Sequence, residues 1–140
     1  MSILNGIYVL IIQLSSDADV TVGKLGTLHF TEGLYAYVGS AQVALEKRIE
    51  RHLRKEKRVF WHIDHLLRKP NTKVVRVFTK TAKKQEECNI AQRISERGET
   101  VAGFGCSDCH CTSHIIRIND YDFLREFMQE YSPSNLSASS

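Results

Sequence analysis

No apolar run in the 140-residue sequence approaches the roughly 20 residues needed to cross a bilayer as a helix. The N-terminus also lacks the basic region, apolar stretch and small-residue cleavage site of a signal peptide, so the expected location is cytoplasmic, with no membrane partner. A strong charge of either sign is missing too. Nineteen Lys plus Arg against sixteen Asp plus Glu leave a formal +3, too little to mark a nucleic-acid binder by itself. Cysteine is sparse and badly placed for a disulfide framework: there are four, and three of them are Cys106, Cys109 and Cys111. In a reducing compartment such crowding directs attention to a metal or to buried thiols first. There is no internal repeat, no linker and no base-reading motif.

What is present suits one ordinary domain. A hydrophobic content of 42% over this length can bury a real core, and the expected division is a single domain over residues 1–131 with a disordered tail, "SPSNLSASS", over 132–140. "GIYVLIIQL" (6–14) is β-branched, apolar and uncharged, the pattern of a buried strand. "DVTVGKLGTLHF" (19–30) predicts a hairpin turning at Gly23 to Gly26, and "LYAYVG" (34–39) a further strand with Ser40 capping the next helix. Leu45, Ile49 and Leu53 give helical spacing from about Gln42 to Lys55, and "WHIDHLLRK" predicts a helix stopped by Pro70. A strand over 73–80, a helix over 83–98 capped by Gly98, a strand over 113–118 and a last helix over 120–131 capped by Asp120 complete the expectation.

Charge is more informative by position than by sum. The stretch from Lys47 to Lys69 is dense in Lys and Arg, which suits a polyanion such as a phosphate backbone but equally a solvated helix face. A helical wheel at about 100° per residue places Arg48 and His52 beside the Leu45–Ile49–Leu53 stripe and turns Lys47, Arg51 and Arg54 to the far side. The same wheel sets Glu87 within the apolar face of the 83–98 helix and Glu86 at its edge. A buried carboxylate must be protonated, paired or bound to a metal.

With these residues placed, the chain resembles the GIY-YIG nuclease superfamily: "GIY" at 6–8, "YVG" at 37–39, a helix with Arg48 and His52, and a later helix with Glu87. The motifs "YAYVGSA", "RHLR", "WHIDHLL", "EC" and "GFGCSDCHCTSH" are similar to those of an uncharacterised branch of that superfamily with a DCxCxSH-type motif, some members of which are joined to DNA-repair glycosylases. The resemblance implies an α/β chain of the α+β kind, with a small, mostly antiparallel central sheet flanked by helices. It implies metal-dependent phosphodiester hydrolysis, with DNA favoured as partner and repair proteins as further partners. Tyr8 and Tyr37 would converge, Tyr8 being the first choice for general base, with His52 supporting it and Arg48 holding the phosphate. Glu87 would bind one Mg²⁺ or Mn²⁺. Gly39, Ser40, Arg51, Lys55 and Asn89 complete the expected substrate surface. Relatives often carry Lys after the YIG glycine; Ser40 stands there, so supporting charge must come from Arg48, His52 or the metal.

"CSDCHCTSH" is the other informative stretch. Cys106, Cys109, Cys111 and His114 are chemically competent for zinc, and because their spacing is tight Cys88 could replace Cys106. Buried or redox-active thiols are the alternative. Trp61 and Leu66 of "WHIDHLL" are expected to pack, with Asp64 and His65 able to pair with the basic helix. His62 and His65 carry only a weak metal signal. The last helix would cover the sheet or mediate dimerisation. Competing with a nuclease are a non-catalytic nucleic-acid-binding or repair-accessory module and a metal- or redox-sensing protein.

Overall fold

The structure is a computed structural model that describes residues 6–21, 26–41, 44–54, 62–101 and 114–131. Strands β1 (Gly6–Leu14), β4 (Gly33–Ala41) and β5 (Thr72–Lys80) form the centre of a six-stranded sheet. It is extended by β7 (Ile115–Ile118) and β6 (Gly98–Thr100) on one side and by β8 (Gln129–Tyr131) on the other, in the order β6-β7-β4-β1-β5-β8. Every pairing in it is antiparallel. A separate hairpin joins β2 (Ala18–Thr21) to β3 (Thr27–Phe30). This is the expected α+β architecture.

The apolar run of β1 is explained by its position at the middle of the sheet with both faces covered. Ile7, Val9 and Ile11 point into one layer with Ile90, Ala91 and Ile94 of helix α3 (Glu86–Ser95). Tyr8, Leu10, Ile12 and Leu14 point into the other, with Leu45 and Ile49 of α1 (Leu45–Leu53) and Ile63, Leu66 and Leu67 of α2 (His62–Leu67). Trp61 and residues 23–25 of the hairpin turn expected at Gly23 to Gly26 lie outside the described residues, as does the 132–140 tail. Among the described residues no helix is long and apolar enough to cross a membrane.

Four local expectations are corrected. Ser40 belongs to β4; the residue preceding α1 is Ala44, held at φ 53 with no side-chain cap bond. Gly98 opens β6 against Ile118 and follows α3, which ends at Ser95 with Glu96 as its C-cap residue. The expected 83–98 helix is therefore shorter at both ends, and at its C-terminal end residues 98–100 gain strand hydrogen bonds along β7 instead. The last helix is absent: Asp122–Glu126 form a 3₁₀ helix preceded by Tyr121, with Asp120 outside it, and Gln129–Tyr131 pair with Val77–Thr79 at the free edge of β5. An open ladder edge outcompetes helix propensity there, while Phe123, Leu124 and Met128 still reach the sheet and cover it.

Candidate functional site

Strand alternation decides which residues of β1 and β4 share a face. Register places Tyr8 opposite Gly39 and Leu10 opposite Tyr37, so both phenols rise on the side of α1. Gly39 is needed for this arrangement: a Cβ built there would lie 2.5 Å from both Cζ and Oη of Tyr8. The close approach at this glycine is thus made by the Tyr8 ring, which lies in the space a side chain would fill.

Helix α1 supplies the partner. His52 is 2% exposed on the same stripe as Leu45 and Ile49, and its Nε2 is 2.8 Å from the Tyr8 hydroxyl. Ring centroids are 5.4 Å apart for Tyr8 and His52, 6.2 Å for Tyr37 and His52, and 6.5 Å for the two tyrosines. Burial pushes the Tyr8 phenol well above its ordinary pKa; the nearby Arg48 guanidinium works against burial, while the Glu87 and Asp64 carboxylates add to it. Tyr37 is raised as well, by burial first and then by Tyr8, Glu87 and Asp64. Four of the expected site residues, Tyr8, Tyr37, Arg48 and His52, are therefore gathered at one end of the sheet.

Arg51 behaves differently from the wheel's expectation. Its guanidinium grips Asp64 of α2 through two contacts of 3.1 Å, and Asp64 is fully buried. The reason is that α2 packs against that flank of α1, so the supposed solvent side is a helix interface. Asp64 Oδ1 also lies 4.0 Å from Nδ1 of His52. Sequence reasoning had Asp64 able to pair with the basic helix; its complete burial could not be read from the pattern.

Glu87 stands in the first turn of α3, on the other layer of the sheet, and reaches the same end through β4. Ser40 Oγ donates to Glu87 Oε1 at 2.6 Å, while the Ser40 carbonyl accepts from Arg48 at 2.9 Å. One residue thus connects guanidinium and carboxylate. The other carboxylate oxygen meets Nδ1 of His114 at 2.7 Å, a contact that the sequence did not reveal. Burial alone would raise the Glu87 pKa, but the hydrogen bonds from His114 and Ser40, with the charges of His114 and Lys84, outweigh it and hold it below its usual value. Glu87 is 17% exposed at its side chain against 42% for Glu86, as the wheel ordered them. Asn89 is exposed on α3, and Lys55 lies outside the described residues.

The donor chemistry at Glu87 suits a hard cation. Each carboxylate oxygen has a second lone pair beyond the bond it accepts, and Mg²⁺ is commonly held by one or two carboxylates, waters and substrate phosphate. Among the described residues no group of three or more His, Cys, Asp and Glu is arranged to hold a metal ion. Of the expected zinc ligands, Cys88 Sγ and His114 Nε2 are 3.8 Å apart. Cys106, Cys109 and Cys111 lie outside the described residues.

Comparison with curated proteins gave no match, and comparison with solved structures gave none either. A family model described as "Domain of unknown function DUF123" matches residues 7–136, nearly the whole chain. The protein belongs to the DUF123 family.

Proposed function

We propose that this protein is a metal-dependent endonuclease of the GIY-YIG type, hydrolysing phosphodiester bonds in nucleic acid, with DNA as the favoured substrate and repair or recombination in the cytoplasm as the setting. The observation that carries this reading is the tie between two half-sites. Tyr8, Tyr37, His52 and Arg48 cluster on one layer, and Ser40 bonds both Arg48 and Glu87 of the other.

In the proposed reaction Arg48 binds the scissile phosphate through its planar donor fork. Tyr8 is the general base. Because burial keeps its phenol protonated at neutral pH, it takes the attacking water's proton as it passes its own to His52 Nε2, 2.8 Å away. That direction requires the resting imidazole to carry its proton on Nδ1, the side facing Asp64. The water oxygen bonds to phosphorus, the bond to the leaving oxygen breaks, and that oxygen takes a proton from solvent. Glu87 would hold Mg²⁺ or Mn²⁺, which supplies positive charge for the phosphate oxygens when bound. Tyr37 flanks both rings and holds them in place.

A second reading is favoured by the raised Tyr8 pKa together with Ser40 in the place of a lysine: a repair-accessory module that binds nucleic acid without cutting it. Both are separated by one experiment. Duplex, single-stranded and branched DNA are incubated with Mg²⁺ or Mn²⁺ and the wild type, Tyr8→Phe, Arg48→Ala or Glu87→Ala. Cleavage by the wild type that each substitution lowers at least about 100-fold supports the nuclease. Salt-sensitive binding without cutting supports the accessory module, and equal behaviour of all four proteins removes the catalytic assignment.

A further inference from the structure

We propose that Asp64, held by Arg51, is a positioning residue of the Tyr8–His52 pair: it keeps the imidazole proton on Nδ1, leaves the Nε2 lone pair toward the phenol, and balances the charge the ring carries once it has taken the phenol's proton. The inference rests on the nuclease reading and names the group that sets its proton path.

Three elements meet at the imidazole. Its Nε2 lies 2.8 Å from the Tyr8 hydroxyl of β1, Tyr37 of β4 stands edge-on to the ring, and Nδ1 is 4.0 Å from Asp64 Oδ1 of α2. Side-chain exposure is 1% for His52 and 0% for Asp64, so little water screens one from the other. The separation is longer than a hydrogen bond, and the influence is therefore one of charge. A bare Nδ1 would turn its lone pair toward the carboxylate oxygen, whereas a protonated Nδ1 presents a positive hydrogen, so the carboxylate selects the Nδ1–H form. The phenol then donates to Nε2.

Arg51 makes that carboxylate a fixed point. Its two contacts of 3.1 Å, one to each oxygen of Asp64, are those of a planar donor fork. In the proposed reaction the water's proton replaces the one on Tyr8 while the phenol's proton passes to Nε2. The ring holds two protons and a positive charge until Nε2 releases one to solvent after the product leaves. That charge arises only during the reaction and in a buried ring, so its attraction to Asp64 is stronger in the transition state than at rest. An interaction of this kind raises kcat and leaves substrate binding alone.

The test has two arms on the full chain. In the first, without nucleic acid, heteronuclear NMR spectra of the ring nitrogens are recorded for the wild type and Asp64→Ala, the His52 signals being assigned by their loss in His52→Gln. The expected result is a proton on Nδ1 in the wild type that moves to Nε2 in Asp64→Ala, where the carboxylate is gone. A wild-type proton on Nε2, or the same tautomer in folded Asp64→Ala, would overturn the proposal. The second arm decides if Asp64→Ala fails to fold. Asp64→Asn keeps the shape and removes the charge, and should lower kcat for DNA cleavage roughly 100-fold with KM within about twofold of the wild type. A residue that only staples α1 to α2 would leave kcat per folded molecule unchanged, and that result would overturn the proposal too. A wild type that cuts nothing removes the nuclease reading instead, and the tautomer then stands or falls by the spectra.

Discussion

Replacing Gly39 by alanine tests the seat of Tyr8 directly. The new methyl carbon would lie 2.5 Å from two atoms of the phenol, more than 1 Å inside ordinary carbon contact. Tyr8 has no open side to retreat to: it is 2% exposed, with Tyr37 and His52 against its ring and its hydroxyl bonded to His52. Overpacking of this kind costs about 1–3 kcal/mol, and losing the Tyr8–His52 bond adds about 1 kcal/mol. Alanine returns about 0.5 kcal/mol by restricting the unfolded chain, since Gly39 is not among the positive-φ glycines. The expected net loss is about 1.5–3.5 kcal/mol, read from denaturant midpoints at constant slope. The same substitution made in a Tyr8→Ala background should be neutral or slightly stabilising, giving a coupling energy of about 2 kcal/mol. An equal loss in both backgrounds would refute the contact and, with it, the role assigned to Gly39.

Two further expectations follow from the buried charges and phenols. Because Asp64 is fully buried and Arg51 is 23% exposed, Arg51→Met strands the less forgiving partner. It should cost about 3–5 kcal/mol, more than Asp64→Asn, which leaves a cation able to turn toward water; the reverse order in urea unfolding would refute that account. Burial raises the folded-state pKa of Tyr8 and Tyr37 above their unfolded values, so their contribution to stability is complete below about pH 10 and is lost as pH rises beyond it. An absorbance titration should show these two phenols ionising only with alkaline unfolding, and their early titration alongside an exposed tyrosine would contradict the packing.

The parts of the fold written in local pattern were legible. Strands β1, β4 and β5 are long and rich in apolar residues, and their limits fall within a residue or two of the expected ones. Arg48 and His52 were also accessible, because a helix wheel fixes a direction, whereas the meeting of Tyr8 with Tyr37 was expected only from the resemblance to the GIY-YIG superfamily. What escaped depends on partners distant in sequence. Strands β6 and β8 have three residues each and exist through the edges they pair with, so no periodicity announces them. Arg51 was turned outward by the wheel because a wheel does not know that α2 lies alongside. Ser40 looked like a helix cap since serine favours that place, yet its hydroxyl is committed to Glu87.

Ser40 has a mechanical consequence. The spacing between guanidinium and carboxylate is measured along one residue hydrogen-bonded to the central strand, instead of across the softer packing of two helices. Rocking of α1 or α3 tilts either group but leaves their common footing in place. Ser40→Ala would release one oxygen of the carboxylate, the other staying on His114, and would leave Arg48 anchored, since the carbonyl it uses belongs to the main chain.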